Sequence, residues 1–133
     1  MTIVKSLIMI QVTMSRKYVA QETCPIARTL DIVGDRWTLL VLRDLSRGYT
    51  RYNELLVRCE GISTNLLSDR LKKLEERGFV KREFYNDHPP RAQYRLTEKG
   101  LDFGHILRAL YRWGATHEPR ATDRPLSEVA HKR

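Results

Sequence analysis

The chain is poor in cysteine, in long apolar runs and in the glycine-bearing turns that usually close hairpins. Only Cys24 and Cys59 occur in 133 residues. Two are too few for a disulfide framework, and they lack the paired spacing of a zinc site. The four histidines add no metal-ligand spacing, no glycine loop is built to cradle phosphate, and no nucleophile has a base at motif distance. The expectation is a non-enzyme with no metal or other cofactor. The opening "MTIVKSLIMIQVTM" is apolar but too short to cross a bilayer, and it has no small-residue cleavage signal. Neither membrane insertion nor secretion is expected, which leaves the cytoplasm of a bacterial-type cell.

Charge is present in excess. Lys and Arg outnumber Asp and Glu by 24 to 16, a formal charge of +8, so an acidic partner is expected. Nucleic acid is the commonest for a small basic domain, with an anionic membrane second. Charge alone is equally satisfied by a basic protein with no polyanion partner.

The punctuation from Cys24 onward gives an order of elements. Pro25 suits a first helical position, and Ile26, Leu30 and Val33 follow at helical spacing until Gly34. "RWTLLVLRDLSRG" is apolar nearly all round, as a buried central helix would be. Thr50 is placed to cap a third helix whose Tyr52, Leu55, Leu56 and Cys59 share a face. After the short turn "CEGIS", Ser63 can cap a fourth in which Leu67, Leu71 and Leu74 form one stripe. Two helices across so short a glycine-containing turn fit a helix-turn-helix.

"FVKREFY" and "RAQYRLT" alternate as strands do. Between them "NDHPPR" has no Asn-Gly or Asp-Gly, so a stiff, extended tip is expected instead of a tight turn. Thr97 then caps one long helix through about residue 118. Residues 1–23 read as an N-terminal arm, with 1–13 an extension or a misjudged start because Met14 opens a more ordinary beginning. Residues 118–133 read as a mobile tail. The fold expected is mainly α with a small β-hairpin: a winged helix-turn-helix domain over residues 24–117.

Islands of sequence carry a family likeness. They are Cys-Pro before the first helix, "GDRW" at 34–37, "RYNEL" at 51–55, "GIS" at 61–63, "RLKKLEERGFVKR" at 70–82, "PPRAQYRLTEKG" at 89–100 and "WG" at 113–114. From residue 24 to about 117 the chain closely resembles the HxlR-type transcriptional regulators, winged helix-turn-helix proteins of bacteria. The resemblance implies a regulator that binds double-stranded DNA as a homodimer.

In a helix-turn-helix the second helix enters the major groove by its N-terminal part. With the leucine stripe buried, Ser63, Thr64, Asn65 and Ser68 are the candidates for that contact, Asn65 because its amide can pair bidentately with adenine. Lys72 and Lys73 are assigned to phosphate, as is Arg51 at the start of the preceding helix. Arg91 at the hairpin tip is assigned to an adjacent minor groove, with Arg95 on the same strand. A solvated polar face is the plain alternative for any one of these. A winged helix that binds protein and never DNA is the alternative for the whole, and it predicts that the basic residues scatter.

The last helix carries more apolar surface than one small domain can bury. Leu107, Leu110, Tyr111 and Trp113, with Ile26, are therefore expected at a dimer interface of terminal helices. Cys24 lies at a helix N-terminus with Arg28 one turn on, a setting that favours thiolate. Two readings stand for it, an oxidant or electrophile sensor, as the resemblance allows, or a cysteine that packs near the interface. A small-molecule or oxidant inducer belongs to the first. Cys59, on a core face, is expected to be structural.

Overall fold

The computed structural model describes residues 21–123; of the arm expected over 1–23 and the tail expected over 118–133, residues 1–20 and 124–133 lie outside them. The chain divides into two compact units, one ending at Asp35 and one beginning at Arg36. In the first, helix α1 (Pro25–Val33) starts on proline, whose missing N–H falls where no helical partner exists. Of the residues at apolar spacing in α1 only Val33 is covered. Ala27, Asp31 and Val33 are buried, whereas Leu30 is exposed and Ile26 is 72% exposed. Periodicity locates this helix without revealing which of its rows is covered.

The second unit runs α2 (Thr38–Ser46), α3 (Tyr52–Arg58), α4 (Thr64–Glu76), β1 (Val80–Asp87), β2 (Pro90–Leu96), α5 (Glu98–Asp102) and α6 (Gly104–His117). It is a winged helix: mainly α, with one two-stranded antiparallel hairpin. Leu67, Leu71 and Leu74 of α4 are essentially inaccessible, as are Val41 and Leu42 of α2 and Leu55 of α3. Each such side chain contributes about 1.5–3 kcal/mol by leaving water. The turn from α3 into α4 favours glycine, since Gly61 has φ +96°.

Three local expectations are corrected. The residue flanking α3 is Arg51 rather than Thr50; its backbone N–H donates to Glu54 Oε1 at 3.0 Å. Thr50 instead accepts the Tyr94 N–H on its carbonyl at 2.8 Å, and Arg51 forms a bridge with Gln93. This segment is extended because it pairs with β2.

The hairpin tip, expected to be long, closes through only His88 and Pro89, with Asp87 paired to Pro90. The His88–Pro89 peptide is cis, and the His88 N–H donates to Asn86 Oδ1. The ladder slips between Phe84 and Asn86, leaving Tyr85 as the extra residue.

The long last helix is two helices. Phe103 N–H bonds back to Gly100 O, a tighter three-residue step, while its ring is buried 5.7 Å from that of Phe79. Gly100 permits this approach, because a Cβ there would lie 2.2 Å from Phe79 O. α6 packs on α2 and buries Leu107, so that residue belongs to the protein's own interior and not to an exposed interface. Ile106, Leu110 and Trp113, at i, i+4 and i+7, remain exposed, and Tyr111 is partly covered.

Candidate nucleic-acid interface

Ser63 Oγ accepts the Leu66 N–H at 3.1 Å and so fixes the start of α4. Its side chain is occupied in capping, although the residue is exposed. Thr64, Asn65, Ser68 and Lys72 are exposed on the face opposite the leucines, and Lys73 is half-buried on the flank. A tyrosine ties this helix to the one before it. Tyr52 Oη donates to the Thr64 carbonyl at 2.9 Å and accepts from Ser68 Oγ at 3.3 Å. Ser68 therefore has its proton committed and faces outward chiefly as an acceptor.

The next residue back connects to the wing. The Arg51 guanidinium lies 4.3 Å from the centroid of the Tyr85 ring, a cation–π contact. Arg51, Tyr52, Tyr85, Arg91 and Ala92 line one open cleft of about 480 Å³. Thr64, Ser68, Tyr52, Arg51, Tyr85 and Arg91 thus form a continuous succession from the N-terminus of α4 to the hairpin. Arg95 stands apart from it. Its Nε donates to Glu83 Oε2 across the strands at 2.9 Å, which offsets its charge locally. Arg82 of β1 reaches Glu75 of α4 at 3.9 Å and lies 5.7 Å from the Phe84 ring centroid.

The family model described as HxlR-like helix-turn-helix matches residues 32–122. The chain belongs to this family. The HxlR-like chain is 38% identical over 92 residues to the uncharacterised HTH-type transcriptional regulator sll1512 of Synechocystis, covering 69% of this chain and 68% of that protein. It is 41% identical over 106 residues to the uncharacterised HTH-type regulator MT3179 of Mycobacterium tuberculosis, covering 80% of this chain and 66% of the other. Among solved structures, the reduced form of the redox regulator HypR is similar with TM-score 0.67 and 33% identity, over 71% of this chain and 94% of that one. The HxlR-like protein is accordingly a transcriptional regulator with a helix-turn-helix fold, and this family consists of regulators rather than enzymes.

Sequence reasoning singles out Arg51 and Arg91 but misses the two tyrosines between which this HxlR-like surface is organised. Helical spacing assigns Tyr52 to a buried face, yet it is half-buried, with its hydroxyl turned to α4. Tyr85 carries no signal beyond strand alternation.

The cysteines of the HxlR-like chain differ sharply. Cys59 is buried, and its Sγ donates to Asp44 Oδ2 at 3.3 Å. Asp44 is itself inaccessible and held by Arg43 and Arg47. Burial first, then the hydrogen bond and charge of Asp44, push the Cys59 thiol up to about 12. It stays protonated at neutral pH and is a poor nucleophile. Because the folded value lies above the ordinary 9.0, its stabilising contribution is complete below that pH and is lost as pH rises towards 12.

Cys24 flanks the start of α1 and is partly accessible; its carbonyl accepts the Arg28 N–H. The Arg28 guanidinium donates to Glu22 O at 2.7 Å. Among the described residues no group of three His, Cys, Asp or Glu could hold a metal, and no helix is long and apolar enough to cross a membrane.

Proposed function

We propose that this regulator binds double-stranded DNA sequence-specifically as a homodimer in the cytoplasm and represses transcription from a pseudo-palindromic site. The observation that carries the reading is the succession Thr64, Ser68, Tyr52, Arg51 and Tyr85, which joins the start of α4 to the hairpin, with Arg91 lining the same cleft. In this role Thr64 and Asn65 read base edges, Ser68 accepts from them, and Lys72 and Arg51 meet phosphate. Arg91 enters the neighbouring minor groove. Arg95 serves less directly, since Glu83 already holds it. DNA binding asks Arg51, Lys72, Arg91 and Arg95 to converge where a purely protein-binding winged helix would scatter them; Arg51 and Arg91 line one cleft, which favours DNA, while Arg95, held by Glu83, does not add to that support.

A second copy covers the exposed stripe of Ile106, Leu110 and Trp113, with Tyr111 contributing, and the exposed Ile26 of the first unit is a dimer contact of its own. Two-fold symmetry then sets half-sites roughly 34 Å apart. Cys24 is the candidate thiol for response to an oxidant or electrophile. Support comes from its partial accessibility, its place at a helix start and the likeness to a protein described as a redox regulator.

Fluorescence anisotropy with duplex DNA at two salt concentrations tests the reading. Affinity should fall steeply with salt, with a slope of roughly 0.9 per phosphate contact. Salt-independent binding, or none, would overturn it. The same assay after diamide treatment should show weakened binding for the parent protein and little change for Cys24→Ser; equal weakening in both would remove Cys24 from the response.

A further inference from the structure

A second cleft, sharing no residue with the one between Arg51 and Arg91, opens beside α2 and α3. Its volume is about 410 Å³, within the range of small-molecule sites. Trp37, Leu40 and Val57 form apolar walls, and Arg43, Arg47 and Arg58 supply charge. Val57 is 76% exposed although β-branched and apolar.

The three arginines are not equivalent. Arg43 Nε and Nη2 and Arg47 Nη1 all donate to the Asp44 carboxylate, so those groups are engaged. Arg58 has a different environment. Its guanidinium stands 4.7 Å from the Tyr49 ring centroid, which occupies its flat face. Its Nε is buried with no hydrogen bond among the described residues, as is the Nε of Arg47, but Arg47 is held through Nη1 by Asp44 whereas Arg58 has no carboxylate among them within ion-pair distance. Set against the buried Asp44 and the exposed Glu60, the three arginines leave the cleft net positive.

We propose that this cleft binds a small organic monoanion with a flat apolar body, of the aryl carboxylate class. The carboxylate pairs with Arg58, and the ring lies against Trp37, Leu40 and Val57. A guanidinium that no carboxylate holds, set between apolar walls, suits a carboxylate on a ring better than inorganic phosphate, which needs several donors and gains nothing from apolar contact. Because α3 continues through Cys59 and Gly61 directly into α4, an anion at its C-terminal end is placed to alter DNA affinity. That regulatory use rests on the proposed DNA binding; the ligand binding does not.

The full chain, followed by the NMR signal of the Trp37 indole N–H, is titrated with benzoate, benzamide and inorganic phosphate. Benzoate should shift the signal saturably with a Kd on the order of 1 mM or tighter, and the neutral amide and phosphate should bind at least about tenfold more weakly. Arg58→Gln should weaken benzoate by about tenfold, as should Val57→Glu, which places a like charge at an exposed position that folding tolerates. Absence of saturable benzoate binding, equal affinity for benzamide, or unchanged affinity in Val57→Glu overturns the site. Saturating benzoate should also change duplex affinity in the parent chain but not in Val57→Glu. Benzoate bound with duplex affinity unchanged overturns the regulatory use alone, and failure to bind duplex under any condition overturns the DNA reading while leaving the site standing.

Discussion

α4 and the hairpin contribute side chains to one surface, yet they are held by different means. α4 buries Leu67, Leu71 and Leu74 almost completely and is capped by Ser63, so its outward face is positioned by the core itself. Of the eight residues of β1, only Val80 is buried. The outer hairpin depends on its ladder, on Arg82 reaching Glu75, and on Arg51 against Tyr85. Part of the surface is thus as rigid as the core, and part rests on exposed contacts that are individually weak. In the proposed DNA complex, base reading, which needs accurate placement, would fall to the first, and charge placement, which tolerates small displacement, to the second.

The largest effect should come from breaking the core side of this contrast. Leu71→Ala leaves a cavity beneath the exposed face of α4 and should cost about 2–5 kcal/mol of stability. Phe84→Ala on the outer hairpin should cost within about 0.5 kcal/mol, since that ring is 61% exposed. Denaturant melts of the two variants compare them directly. A large destabilisation in Phe84→Ala would mean that the hairpin is integrated with the core after all.

A second contrast separates reading from holding. Asn65→Ala should remove about 1–3 kcal/mol of discrimination at one base pair while leaving the salt dependence of binding nearly intact. Arg91→Ala should weaken all duplexes by similar factors and lower the salt slope by about 1, the share of a single neutralised phosphate. Binding measured over a set of single-base operator variants at two salt concentrations distinguishes them. If Arg91→Ala changed sequence preference instead, the hairpin would share in reading.

What could be foreseen follows the same division. The α4 stripe, its serine cap and the glycine turn before it are local patterns, and each appears in the structure where periodicity and capping chemistry put it. The organisation of the outer hairpin was not foreseeable. Arg51 meets Tyr85 only because Thr50 and Arg51 pair with β2, a pairing between segments more than forty residues apart. The bend at Phe103 likewise arises from the approach of Gly100 to Phe79, which no helical period encodes. In α1, small Ala27 and polar Asp31 are covered beside Val33 while apolar Ile26 is not, so hydrophobicity alone does not say which residues of the helix are covered.

The smallest expected effect sharpens the comparison most. Tyr85→Leu keeps an apolar side chain at the bulge but removes the ring beneath the Arg51 guanidinium. An exposed cation–π contact is worth about 0.5–1 kcal/mol, so duplex affinity should fall roughly two- to fivefold. The charge on Arg51 remains, and the salt slope should therefore stay the same if Tyr85 only orients it. A fall in slope would mean that Arg51 has left its phosphate, making the ring essential to that interaction. No change in either quantity would mean that Arg51 is positioned by its own backbone, through the Gln93 bridge and the Glu54 carboxylate, and that the hairpin keeps its place without the Tyr85 ring, through β2 pairing with Thr50 and Arg51.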